Sequence, residues 1–155
     1  MTSAKIKPAA GDWIVVCDGR KALILENTGD RMFPDLRTKE AHEHKALATR
    51  EQGSDAPGRV FQSVGEVRSA VEQTDWHDQE EQAFLKTLAE RLDAAVTKGE
   101  TKAIVLVAAP RALGMIRQAY SQAVKRALAI EIAKDLVNQP VHEIERQLVG
   151  KLDSI

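Results

Sequence analysis

Cysteine is nearly missing from this chain. Of 155 residues only Cys17 carries a thiol, which excludes an intramolecular disulfide and a cysteine-based zinc site. A charge bias is missing too. The 22 Lys+Arg against 23 Asp+Glu leave a formal charge of −1, so a nucleic-acid surface would have to be a local basic patch. The longest apolar run, Ala103 to Pro110, is far below the roughly 20 residues that span a bilayer. Residues 1 to 12 contain Lys5, Lys7 and Pro8 but no apolar h-region, so a cytoplasmic protein without membrane insertion is expected. What is present is a 43% hydrophobic, 29% charged composition, near globular averages. The length suits one domain with one core.

Several chemical signatures are also lacking. No G-x-G-x-x-G or Walker-type run follows a strand, so nucleotide binding by those routes is not expected. Ser54, Ser63, Ser69 and Ser121 stand in no G-x-S-x-G context, which leaves acyl transfer unsupported. A two-metal nuclease needs carboxylates clustered on central strands. Here Asp12 and Asp18 only flank the first apolar run, Ala103 to Ala109 holds no acid, and Asp35, Asp78 and Asp135 suit element ends. No cofactor is expected.

The elements that can be read begin with a hairpin. Trp13 to Cys17 and Ala22 to Leu25 are β-forming runs, and Asp18-Gly19 between them suits a type I′ turn. A polar edge strand is expected near Leu36 to His42. Residues 47 to 78, with Gly53, Gly58 and Gly65, read as one long connection, functional or disordered. Residues 49 to 66 are expected to be its most mobile part, because Val60, Phe61 and Val64 are too few to offset the ordering entropy.

From Gln79 the period becomes helical, with Phe84, Leu85, Leu88, Leu92, Ala95 and Val96 on one stripe. Asp78 fits its N-cap and Gly99 its C′ position. Ala103 to Ala109 reads as the most buried strand, and Pro110 as the start of a helix continuing through Val124. Leu128 to Val137 alternates as a last strand, and Pro140 opens a final helix with Val141, Ile144, Leu148 and Leu152. The predicted fold is α/β (α+β), a mixed sheet of about five strands with helices on its faces, ordered β-β-β-α-β-α-β-α. Residues 1–11 are expected to form a flexible arm, and 12–153 a single domain.

Five segments together resemble the bacterial host-attachment protein family: "WIVVCDGRKALIL", "GRVFQS", "DWHDQEEQAFLKTLAERL", "IVLVAAPRALGMIR" and "EIAKDLVNQPVHEIERQL". That family is similar to the middle domain of archaeal and eukaryotic class-1 peptide release factors, which implies an RNase-H-like core. In the release-factor domain a Gly-Gly-Gln loop before the first long helix enters the ribosome and promotes peptidyl-tRNA hydrolysis. Gly58-Arg59-Val60-Phe61-Gln62-Ser63 occupies that connection here. The triplet itself is absent, and Gln62 follows Phe61, without the backbone freedom that glycines give.

The resemblance therefore implies a non-catalytic binding module for RNA, meaning tRNA, rRNA or the ribosome. Arg50, Gly58, Arg59, Phe61, Gln62 and Arg68 are its candidate contacts, since arginines can grip phosphates while an aromatic stacks a base. Arg111, at a helix N-terminus, is the candidate anion site; its alternative is pairing with a nearby acid. Arg117, Lys125 and Arg126 could extend a basic face. Two rival functions stand beside this one: peptidyl-tRNA hydrolysis through Gln62, the only catalytic candidate, and a protein-interaction adaptor regulating attachment. His42 and His44 form an H-x-H pair that could bind zinc with Glu40, Asp75, His77 or His142, but an exposed polar strand is preferred. Cys17 reads as core.

Overall fold

The computed structural model describes residues 6–44 and 66–149, with backbone only for 66–76. In chain order the elements are β1 Trp13–Cys17, β2 Lys21–Asn27, β3 Leu36–Glu43, α1 Glu66–Thr97, β4 Ile104–Ala108, α2 Pro110–Arg117, α3 Gln122–Ala127, β5 Leu128–Ala133 and α4 Val141–Val149.

The hairpin forms as expected, with Cys17 opposite Ala22 and the Asp18 N–H donating to the Lys21 carbonyl at 2.9 Å. Its turn is not of the I′ kind, because Gly11 and Gly99 are the only described residues at positive φ. Asp18 shapes it instead. One carboxylate oxygen accepts from the backbone N–H groups of Arg20 and Lys21, each at 2.8 Å, so the side chain organises the reversal.

The five strands form one sheet in the order β3-β2-β1-β4-β5. The β1/β2 and β2/β3 pairs are antiparallel, while β1/β4 and β4/β5 are parallel, so β2 alone runs against the other four. Period-two alternation sends Trp13, Val15, Ile24 and Leu106 to one face, where they meet Leu85, Leu88 and Leu92 of α1 and Ile116 of α2. Ile14, Val16, Leu25, Val105 and Val107 turn to the other, against Ile144 and Leu148 of α4. Thus β4 is packed on both sides, with Leu106 and Val105 facing opposite layers. The centre of the sheet is nevertheless β1, whose five residues are all fully buried.

Three boundaries differ from expectation. Helix α1 begins at Glu66, not after Asp78, so residues 66–78 are helix and Asp78 lies inside it rather than capping it. In that first stretch only Val67, Ala70 and Val71 keep helical spacing, too short a run among polar residues for periodicity to show it. Its C-terminus follows the sequence signal: Gly99 has φ +79°, its N–H bonds the Val96 carbonyl at 3.1 Å, and Glu100 N–H bonds Ala95 at 2.8 Å.

The stripe from Leu113 to Val124 is two helices. Chain reversal falls before Ser121, whose hydroxyl accepts from Val124 N–H at 3.1 Å and caps α3. The supposed arm is held down from Ile6 onward: Ile6 is buried and donates to the Leu148 carbonyl at 2.9 Å. Asn27 Nδ2 adds bonds to the carbonyls of Pro8 and Ala9.

The sheet has two poles. At one, β1 and β4 begin, β2 ends and the 28–35 loop turns. At the other lie the Asp18-Gly19 turn, the start of α2, the end of β3 and the part of α1 around Glu80. No described helix is long and apolar enough to cross a membrane.

Candidate functional site

At the second pole, β3 and α1 separate enough to leave a cleft of about 390 Å³. Ala83, Phe84, Thr87 and Leu88 of α1 form its floor, and His42, Glu43 and His44 its opposite wall. The wall follows from the polar edge strand: β3 pairs on one side only, so its outer positions tolerate charge. His44 meets the Phe84 ring edge-on, with centroids 6.4 Å apart and planes at 72°.

Both histidines of the H-x-H pair line this cleft, but each answers to a different glutamate. His42 Nε2 lies 2.9 Å from Glu40 Oε1, and His44 Nε2 lies 3.4 Å from Glu80 Oε1. His77 Nδ1 stands 3.9 Å from the same Glu80 oxygen. His142 belongs to α4, across the sheet, and the Asp75 side chain lies outside the described residues. Among the described residues no three His, Cys, Asp or Glu side chains are arranged to hold a metal ion.

Beneath the cleft runs a charged chain that sequence spacing did not reveal. Arg91 Nε donates to both Glu40 oxygens, at 3.0 and 3.2 Å, and Arg91 Nη2 reaches Glu100 at 2.9 Å. The guanidinium carbon sits 5.4 Å from the Trp13 ring centroid, and Lys39 Nζ lies 5.9 Å from the same ring. Trp13 is fully buried, and its indole N–H finds no acceptor among the described residues. Hydrogen bonding from Arg91, with a further contribution from His42, holds the Glu40 carboxyl down to about 2. Glu40 therefore stays ionised and cannot serve as a general acid near neutral pH.

Of the expected anion and RNA contacts, Arg50, Gly58, Arg59, Phe61 and Gln62 lie outside the described residues, as does the segment expected to be most mobile. Arg68 falls on α1, with its side chain likewise outside them; so does that of Trp76. Arg111 is described. It is engaged by Asp78, and its Nη1 lies 3.1 Å from Glu81 Oε1, so α2 is strapped to α1 through the pairing alternative. The same Glu81 leaves no room beside the hairpin turn: a Cβ on Gly19 would approach its side chain to 2.8 Å.

Arg117 is paired as well, with Glu131 at 2.8 Å, leaving Lys125 and Arg126 as the exposed cations of that face. Tyr120 donates to Glu131 at 2.7 Å, and burial together with that bond raises its phenol above the usual range. Cys17 is core, as expected: burial, and secondarily the Asp18 charge, push its thiol up to about 12.

A mixed five-stranded sheet, clad on both faces and opening a cleft between β3 and α1 at one pole, defines an α/β module. The chain belongs to the family described as "protein required for attachment to host cells", whose model matches residues 13–148. It is also similar to an uncharacterized protein of Rickettsia prowazekii (strain Madrid E). The two are 25% identical over 142 residues, spanning 86% of this chain and 89% of that one.

Proposed function

We propose that the chain is a non-catalytic, cytoplasmic binding module of the release-factor middle-domain type, with RNA, in the form of tRNA or the ribosome, as its partner. One observation carries the proposal. The segment holding Arg50, Arg59, Phe61 and Gln62 is spliced between the end of an edge strand and the start of a 32-residue helix. Among the α1 side chains that are described, from His77 on, the first buried one is Leu85. At 1.5 Å per residue, about 28 Å of helix precede it. A helix of that length can carry its preceding segment toward a partner.

Further support for an RNase-H-like core comes from the sheet order β3-β2-β1-β4-β5 with β2 alone reversed. Binding is favoured over hydrolysis because Asp78 and Glu81 are both engaged by Arg111 at this pole, and Asp18 is spent on its own turn.

Cosedimentation with ribosomes and a gel shift of a tRNA probe, both over a salt series, test the proposal. Binding should weaken as salt rises, and each Arg→Ala change at 50, 59 or 68 should lower the salt slope by about one. No shift and no ribosome association at low salt would remove it. Turnover of peptidyl-tRNA, lost in Gln62→Ala, would replace it with the hydrolase.

A further inference from the structure

The loop between β2 and β3 presents the two most exposed large apolar side chains among the described residues, Met32 at 78% and Phe33 at 75%. They are adjacent, and the loop beneath them is fully organised. Asn27 Oδ1 accepts from Gly29 N–H at 3.0 Å and Asp35 N–H at 2.9 Å, closing the loop across its base. Asp30 Oδ1 accepts the Phe33 N–H at 2.7 Å, and Thr28 Oγ1 donates to the Asp35 carbonyl at 2.9 Å. Arg31 Nη1 ties the loop to the Lys7 carbonyl at 2.9 Å. Two apolar anchors are thus held out on a pre-ordered support, the arrangement that lowers the entropy cost of docking.

The same molecule contains the complementary recess. The cleft between β3 and α1 has an apolar floor of Ala83, Phe84 and Leu88; on its rim, beside His42, His44, Glu80 and Arg91, stands Glu43, which pairs with no cation among the described residues. The knob is flanked by exposed Lys7 and Arg31, neither of which pairs with a carboxylate among the described residues. The apolar tip therefore matches the apolar floor, and the cations beside the tip match Glu43 at the rim. A copy cannot fill its own cleft. Leu36 opens β3 beside the knob and Glu43 closes it beside the cleft, seven residues or about 23 Å along an extended strand.

We propose that Met32 and Phe33 of one copy of this chain seat in the cleft between β3 and α1 of a second copy. The contact is heterologous, so it propagates head to tail or closes into a ring. Two side chains bury far less than a standard interface, so the association is weak and concentration-dependent. A lipid surface fits less well, because only two apolar residues are offered.

Sedimentation velocity on nuclease-treated protein, up to about 1 mM, the range of small contacts, tests this. The wild-type sedimentation coefficient should rise with concentration. The double change Met32→Ser with Phe33→Ser removes the knob at exposed positions. Ala83→Arg fills the cleft from an exposed helical site. Each should raise the dissociation constant by about tenfold or more while leaving the thermal midpoint in place. The decisive result is the mixture: knob-less and cleft-filled copies, each monomeric alone, should form one-to-one dimers and nothing larger. A wild type that stays monomeric overturns the proposal. So does association that survives in either variant, or a mixture that stays monomeric. Binding of wild type but not the knob-less variant to phosphatidylglycerol vesicles, without self-association, would assign the knob to lipid and equally overturn it.

Discussion

Glu40→Gln tests whether the ion pair beneath the cleft pins the edge strand to α1. The wild-type carboxylate receives Arg91 on both oxygens, and these side chains are 24% and 27% exposed. Its carboxyl is held down from 4.5 to about 2, with the Arg91 hydrogen bonds as the largest cause. At about 1.4 kcal/mol per tenfold change in proton affinity, that displacement sets a ceiling of roughly 3 kcal/mol. Partial exposure screens the pair, so the expected loss at pH 7 is about 1–2 kcal/mol, between exposed and buried ion pairs. For a chain of this length it amounts to a fall of roughly 2–8 °C in thermal midpoint.

The pH dependence has a definite sign. A carboxyl whose folded pKa is depressed stabilises fully above its unfolded value, and that contribution is lost as pH falls through the folded value. The gap between wild type and Glu40→Gln should therefore be full above pH 4.5 and close progressively toward about 2. Urea denaturation at pH 7, 4 and 2.5 measures it. A difference below about 0.5 kcal/mol at pH 7, or one that does not shrink on acidification, refutes the reasoning.

Asn27→Ala should cost about 2–4 kcal/mol, because the buried amide serves Pro8, Ala9, Gly29, Asp30 and Asp35, and its loss strands several of them; chemical denaturation measures this. Gly99→Ala should cost about 1 kcal/mol through backbone strain alone, since φ is +79° and a Cβ there meets no atom within 4 Å. Gly29→Ala should do more, because its Cβ would lie 2.0 Å from the Phe33 carbonyl oxygen; the expected readout is lower stability together with lost self-association. Cys17, buried and with its thiol pushed up to about 12, should resist an aromatic disulfide reagent at pH 8 and react only at the rate of unfolding. Rapid labelling of the native protein would contradict its place in the core.

The amino-acid sequence by itself determined the local grammar: the Trp13–Leu25 hairpin, the apolar 103–109 strand, Pro110 and Gly99 as helix boundaries, and the final strand and helix. Each depends on residues within one or two turns of one another, where periodicity and turn chemistry act directly. The same logic could not show that α1 starts at Glu66, because Val67, Ala70 and Val71 make too short a stripe among polar residues to read. It could not show the break before Ser121 either, since two short helices against one face keep the spacing of a single one. Only the tertiary structure decided that β1 is the central strand, that residues from Ile6 are held against the sheet, and that β3 and α1 leave a cleft. The reason is distance along the chain. Glu40 and Arg91 are 51 residues apart, and Asp78 and Arg111 are 33 apart. Such partners are chosen by sheet order and register, which bring together side chains whose local sequence carries no sign of each other.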